Sequence, residues 1–303
     1  MKFINSNDFS IIERQMFNKA RDIDVAIFNG LVDEDSKDFV LDCLTLYVNK
    51  DGGFGNALEI DNYNTNSSVY QTYEALRIMD MVGFDSKSDN PMLEEIVNRI
   101  GNYLFNRNSL VNGLWNPNVK TNDDFAHNLI YSYSEEFDAH PTAAILGYLV
   151  NLVKPSKVYY KKSLSAISDV IKYMNNQETL GLNELISFNS LLGSLKKANL
   201  LPNEQKLIEE KLIKMADYYK NNENYKVIKM LSNCSLDDHW QEVLDSELDE
   251  IIDDRASHGL WEHKGDWGTN KYAEYDSATL KWIGAESVNN VALLLKYNRI
   301  VNE

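Results

Sequence analysis

The amino-acid sequence predicts an all-α chain folded as an (α/α)6 toroid, a closed ring of six outer–inner helical hairpins in a single domain over residues 1–303. Three observations lead there. Apolar residues recur at three- and four-residue spacing along most of the chain, the period of a helix with one buried face. No segment alternates apolar and polar residues as a half-buried strand would, and only five prolines interrupt the pattern. A glycine–aromatic turn recurs between the periodic segments, as expected of repeated helix pairs.

That turn is fullest at Asp51-Gly52-Gly53-Phe54-Gly55-Asn56-Ala57-Leu58-Glu59, followed by Asp61. Three glycines in four residues cannot continue a helix. Glycine takes the positive φ of a helix C-terminal turn without strain. Apolar periodicity resumes at Val69, Tyr73 and Leu76. Shorter echoes stand at Gly113-Leu114-Trp115, Gly181-Leu182 and Gly259-Leu260-Trp261.

In chain order the hairpins fall at 8–29, 37–82, 92–153, 161–199, 203–233 and 245–297. Met92, Ile96, Ile100 and Leu104 form one apolar stripe, Leu164, Ile167, Ile171 and Met174 another, and Leu207, Leu212, Met215 and Tyr219 a third. Helices with one stripe keep a wet face and belong outside. Pro141–Val153 and Val288–Tyr297 are apolar nearly all round and belong inside, with Pro141 suited to a first helical turn. An open solenoid is the alternative, but the strong repeats and polar capping units of a solenoid are missing. Asp85–Pro91 and Asn108–Ala139 read as loops; the second is long enough to suggest a functional role.

The net charge of −16 argues against nucleic-acid binding and against an anionic membrane surface. No run reaches the length of a membrane span, and Met1–Gln15 lacks an apolar signal core, so a cytoplasmic protein is expected. The two cysteines, Cys43 and Cys234, are too few for a disulfide framework; Cys43 reads as a small hydrophobe on a helix face.

In a hairpin ring the inner helices run parallel, so polar residues preceding them gather at one mouth. Those residues are Glu59, Asp61, His140, Glu184 and Glu286, with Asp266 and Trp267 in the last long loop. Helix N-termini favour negative charge, although the same residue types also serve as plain caps. Two carboxyl groups on one cavity can work as general acid and base, and a buried one can protonate an alkene or a glycosidic oxygen. Glu59, Asp61, Asp266 and Glu286 are therefore the candidate catalytic residues. His140, Glu184, Trp267, Trp282 and Phe54 are the candidate substrate contacts. Trp115 and Trp261 fit core packing at their glycine turns.

Cys234 and His239 are five residues apart, as are His258 and His263, a spacing that does not share one helix face. With no Cys-x-x-Cys or His-Glu-x-x-His, no metal is expected, and no cofactor motif occurs. Asp249, Glu250, Asp253 and Asp254 read as the solvated face of an outer helix, Glu247–Arg255.

The Asp51–Glu59 motif with Asp61 resembles the terpenoid cyclase/protein prenyltransferase α/α toroid superfamily. It is most like a bacterial group of uncharacterised prenyltransferase- and squalene-cyclase-repeat proteins. His140-Pro141-Thr142-Ala143-Ala144-Ile145-Leu146-Gly147, Asn183-Glu184-Leu185, Gly259-Leu260-Trp261, Asp266-Trp267, Trp282-Ile283-Gly284 and Tyr297-Asn298-Arg299-Ile300 look like later motifs of that group, in order. The resemblance implies an (α/α)6 barrel with a central cavity. The Asp-x-Asp-Asp of class II cyclases and the zinc ligands of prenyltransferases have no counterpart here.

The leading expectation is an acid-lined central cavity that binds or transforms an apolar small molecule of isoprenoid type without a metal. The alternatives are a carbohydrate-active (α/α)6 enzyme with paired carboxylates and a non-catalytic binding or scaffold ring. Apolar walls would favour an isoprenoid, polar walls with exposed rings a sugar, and a filled centre a scaffold. Oligomeric state is left open.

Overall fold

Helical periodicity becomes helix along most of the chain. The computed structural model describes residues 1–222, 225–269 and 271–301, and these hold twelve α-helices and no β-strand. The odd-numbered helices are α1 Ser6–Lys19, α3 Asp38–Leu44, α5 Pro91–Asn102, α7 Val158–Asn176, α9 Pro202–Asn222 and α11 Asp238–Asp253. They alternate with α2 Asp22–Val32, α4 Val69–Met81, α6 Ala139–Leu152, α8 Leu182–Ala198, α10 Ile228–Leu231 and α12 Glu274–Lys296. No described helix is long and apolar enough to cross a membrane.

Odd and even helices differ as their sequences require. In α5, Leu93, Ile96, Val97 and Ile100 are buried on one stripe, while Met92 and, in α9, Leu207 lie at the exposed edge. In α6 the buried set runs unbroken from Pro141 to Leu152. Helix α6 packs on α4, α7 and α8, so little of it is left for solvent. The N-terminal ends of α4 and α6 meet, with His140 Nε2 3.3 Å from Tyr70 Oη, and the C-terminal ends of α4 and α8 meet, with Lys197 Nζ 3.6 Å from Asp80 Oδ1.

The glycine–aromatic turn is a repeated device. Gly52, Gly113 and Gly259 all have positive φ, at +93°, +81° and +98°. Two residues later the backbone N–H of Phe54, Trp115 or Trp261 donates to a hydroxyl on the next even helix: Thr72 at 3.0 Å, Thr142 at 3.0 Å and Ser287 at 3.1 Å. Each hydroxyl in turn donates to a carbonyl four residues back, on Ser68, Asp138 or Ile283. The two indoles donate to the ends of the preceding odd segments, Trp115 to Leu104 O and Trp261 to Ile251 O. Each turn thus ties one odd helix to the following even one. Phe54 is completely buried in this role.

The same glycines press on the next odd helix. A Cβ at Gly52 would stand 2.5 Å from Arg99 O in α5, one at Gly113 2.7 Å from Asp169 Cβ in α7, and one at Gly259 2.6 Å from Ile11 Cγ2 in α1. Gly52→Ala is expected to cost about 3 kcal/mol, from left-handed strain plus a backbone clash. Gly83→Ala, also at positive φ but with open space around it, is expected to cost only about 1 kcal/mol. Urea unfolding of both variants checks this; equal losses would mean that the close approach to α5 contributes nothing.

The chain ends meet. Ile4 N donates to Arg299 O at 2.8 Å, and Val301 N donates to Ile4 O at 3.0 Å. The buried Arg299 guanidinium bonds Lys2 O, Asp245 Oδ1 and Asp249 Oδ1 at 2.9, 2.7 and 2.8 Å. The Met1 amine adds a contact of 3.1 Å to Asp249. The solvated acidic face predicted on α11 is therefore partly used: Asp249 faces the clasp rather than water alone.

Helix α12 begins well before the predicted Val288. Its first turns pack on a small separate cluster of Ile60, Trp267 and Ala278, so its apolar stripe is interrupted and hard to read. Glu286 consequently lies roughly three turns inside the helix, not ahead of it.

Candidate functional site

Four even helices carry a second stripe at helical spacing, and these stripes face one cavity. They are Tyr70, Tyr73, Glu74, Arg77 and Asp80 on α4; Tyr148 and Asn151 on α6; Asn183, Ile186, Asn189, Ser190 and Lys197 on α8; and Trp282, Glu286, Asn289, Leu293 and Lys296 on α12. Leu31 of α2 and Lys229 of α10 add to the wall. The cavity has a volume of about 750 Å³, within the range of small-molecule sites.

Glu59 reaches this cavity from a loop that is bonded throughout. Leu58 N donates to Gln71 Oε1 at 3.1 Å, Arg21 donates to Leu58 O at 3.2 Å, and Asn128 N donates to Asp61 O at 2.9 Å. The Glu59 side chain is buried, and among the described residues its Oε1 accepts one long 3.4 Å bond, from Asp61 N. Burial, with Glu74 and Asp61 close by, pushes its pKa up to about 8. Glu59 is therefore a neutral acid near pH 7.

The neighbours of Glu59 are held in place. Glu74 pairs with Arg77 at 2.8 Å, and Arg77 also donates to Asn289 Oδ1 at 2.9 Å. Asp61 accepts the Trp282 indole N–H at 2.6 Å, and His263 stacks on that indole at 4.5 Å between centroids. Tyr70 meets Tyr131 and His140 edge-on at 4.8 and 5.4 Å. Burial pushes the phenols of Tyr70, Tyr73 and Tyr131 well above their ordinary value, so they remain hydrogen-bond donors. Burial pushes His140 down to about 4, so its imidazole is neutral near pH 7; its Nδ1 has no hydrogen-bond partner among the described residues.

A second chamber of about 1010 Å³ adjoins the first, and Tyr70, Tyr131, His140 and Asn183 line both. Its outer wall comes from the long loop, including Ile130, Tyr133 and Phe137, and from Tyr173 and Glu184. The loop predicted over Asn108–Ala139 thus forms the rim of the site.

The predicted site residues divide. Glu59, His140, Trp282 and Glu286 line the first cavity. Asp61 stands behind it and orients Trp282. Glu184 lines only the outer chamber; it accepts the Gly181 N–H at 2.9 Å as a helix cap and the Tyr173 hydroxyl at 2.8 Å. Three assignments are corrected. Phe54 is sealed in the main core by its turn. Asp266 is exposed, with Oδ1 taken by Gly268 N, and does not line the cavity. Trp267 is buried among Ile60 and Ala278 and edge-on to Tyr63, away from the cavity wall. Trp115 and Trp261 pack in the core as expected.

Among the described residues no three His, Cys, Asp or Glu side chains are placed to share a metal ion. The candidate pairs have other partners: His263 stacks on Trp282, the His239 ring is tilted against Trp240, and His258 meets Glu262.

Sequence reasoning missed Glu74, Arg77, the four tyrosines and the lysines. A signal was present: Tyr70, Tyr73, Glu74, Arg77 and Asp80 repeat at three- and four-residue spacing opposite the apolar face of α4. No family model, curated protein or solved structure matches this chain.

Proposed function

We propose that the chain is a closed (α/α)6 ring whose central cavity takes a saccharide, with Glu59 as proton donor to the glycosidic oxygen. Ring closure is supported by the order of the turns. The Gly52 and Gly113 turns seat on the next odd helix, α5 and α7, and the Gly259 turn seats on α1, as if α1 followed α11. The Arg299 clasp joins the same two ends.

One observation carries the saccharide reading: a buried, neutral carboxyl group stands on a wall built mainly of rings and polar groups. Tyr70, Tyr73, Tyr131, Tyr148 and Trp282 offer faces and edges for sugar rings, and asparagines and serines offer donors and acceptors. The aliphatic lining is limited to Leu31, Met81, Ile186, Ala292 and Leu293, thin cover for an isoprenoid chain. An open centre also disfavours a scaffold. Glu286, on the same cavity, is the second carboxyl group that glycosidic cleavage requires.

The test is incubation with a panel of neutral and acidic oligosaccharides, reading new reducing ends, alongside farnesol binding by calorimetry. Release from at least one saccharide, with no farnesol binding, is expected. Farnesol binding with no saccharide bound or cleaved would overturn the reading and restore the isoprenoid one.

A further inference from the structure

The end of the central cavity remote from Glu59 is cationic. Lys197 at the end of α8, Lys229 on α10 and Lys296 at the end of α12 all line it. Lys197 lies 3.6 Å from Asp80 Oδ1. Lys296 Nζ donates to Asn233 Oδ1 at 2.6 Å. Among the described residues neither Lys229 nor Lys296 forms an ion pair with a carboxylate. In a chain with 46 acidic and 30 basic side chains, carboxylates are abundant, so two lysines without one on a cavity wall call for an explanation.

The surroundings sharpen this. Burial pushes Lys296 down from its ordinary value, against the pull of Asp80. An ammonium group held in a partly desolvated place without a carboxylate is stabilised by an anion that enters. Helix α12 sets the scale: from Glu286 to Lys296 it rises about 15 Å. A group bound by the lysines is therefore recognised far from the bond that Glu59 would protonate.

We propose that Lys197, Lys229 and Lys296, with Asn233, form an anion subsite, and that the saccharide taken by the cavity carries an acidic group at the end remote from Glu59. The acidic group is a carboxylate, as in a uronic acid, or a phosphate ester. The nature of the ligand's body rests on the saccharide reading above; the anion subsite rests on the lysines alone.

The test uses the whole protein and a Lys229→Met/Lys296→Met double variant. Neither side chain belongs to the packed core, so folding is preserved, and a melting curve verifies it. Calorimetry at low salt compares D-glucuronate, D-glucose 6-phosphate, inorganic phosphate and neutral D-glucose. At least one anionic probe is expected to bind, with affinity falling at least about tenfold in the double variant. Tighter binding of glucuronate than of the sugar phosphate assigns a carboxylate, and the reverse assigns a phosphate. Inorganic phosphate binding as tightly as either sugar would uphold the subsite and overturn its saccharide ligand. No anion binding, or equal binding by both proteins, would overturn the subsite, leaving the saccharide reading to the reducing-end assay.

Discussion

If the proposed proton donation is right, Glu59→Gln is expected to lower saccharide turnover by about two to four orders of magnitude, because the amide keeps the shape of the carboxyl group but has no acidic proton to give. On the proposed role of Glu59 as proton donor, activity requires its protonated form. Activity should therefore fall as pH rises through the raised pKa of Glu59, about 8. The same substitution has a stability signature of opposite sense. The folded protein holds the Glu59 proton up to about pH 8, whereas the unfolded chain releases it near the ordinary glutamate value of 4.5. Between those values the native state binds more protons, so stability falls as pH rises. Glutamine removes that penalty. Glu59→Gln should be more stable than wild type, with the gain growing from about pH 5 to pH 8 and reaching on the order of a few kcal/mol. Urea unfolding at several pH values, read beside the activity assay, separates the two effects. A pH-independent stability difference would mean that Glu59 is not held neutral. A fully active variant would remove it from the chemistry.

Arg299→Ala should be among the most damaging single changes outside the cavity. The guanidinium is 2% exposed and joins Lys2, Asp245 and Asp249, which belong to the first residues of the chain and to α11. Removing it leaves two carboxylates and a carbonyl facing a vacated, largely buried place, a loss of about 3 kcal/mol. Urea unfolding should show a lower midpoint at unchanged slope. Amide exchange should quicken in α1 and α12 before α6 and α8. An unfolding free energy within about 0.5 kcal/mol of wild type would show that the clasp holds nothing. The clasp also has an acid limit. Partial burial works against the charge on Asp249, but bonds from Lys2 N–H, the Met1 amine and Arg299 outweigh it and hold its pKa at about 2. Its contribution is complete above the ordinary aspartate value of 3.8 and is lost as pH falls toward 2.

Much of the fold could be read from the chain because its causes are local. A 3.6-residue period places α5, α7 and α9, and an all-apolar run places α6. Glycine at positive φ followed by a buried aromatic marks the turns at Gly52, Gly113 and Gly259. Helix α12 was legible only in its second half, because its first half packs on a cluster drawn from Ile60 and Trp267, distant in sequence.

The site was legible only in part. Glu59, His140, Trp282 and Glu286 do meet on one cavity, but Glu286 arrives from mid-helix, whereas Phe54, Asp266 and Trp267 go elsewhere. Glu59 and Asp61 show why. They are near neighbours of the same chemical type, and nothing local separates them. Packing brings Glu74 beside Glu59 and leaves it buried against the cavity, whereas Asp61 receives an indole N–H from Trp282, 221 residues away. Periodicity and backbone freedom belong to short stretches of sequence, so they set helices and turns; desolvation and charge proximity belong to the assembled interior, so they keep the proton on Glu59.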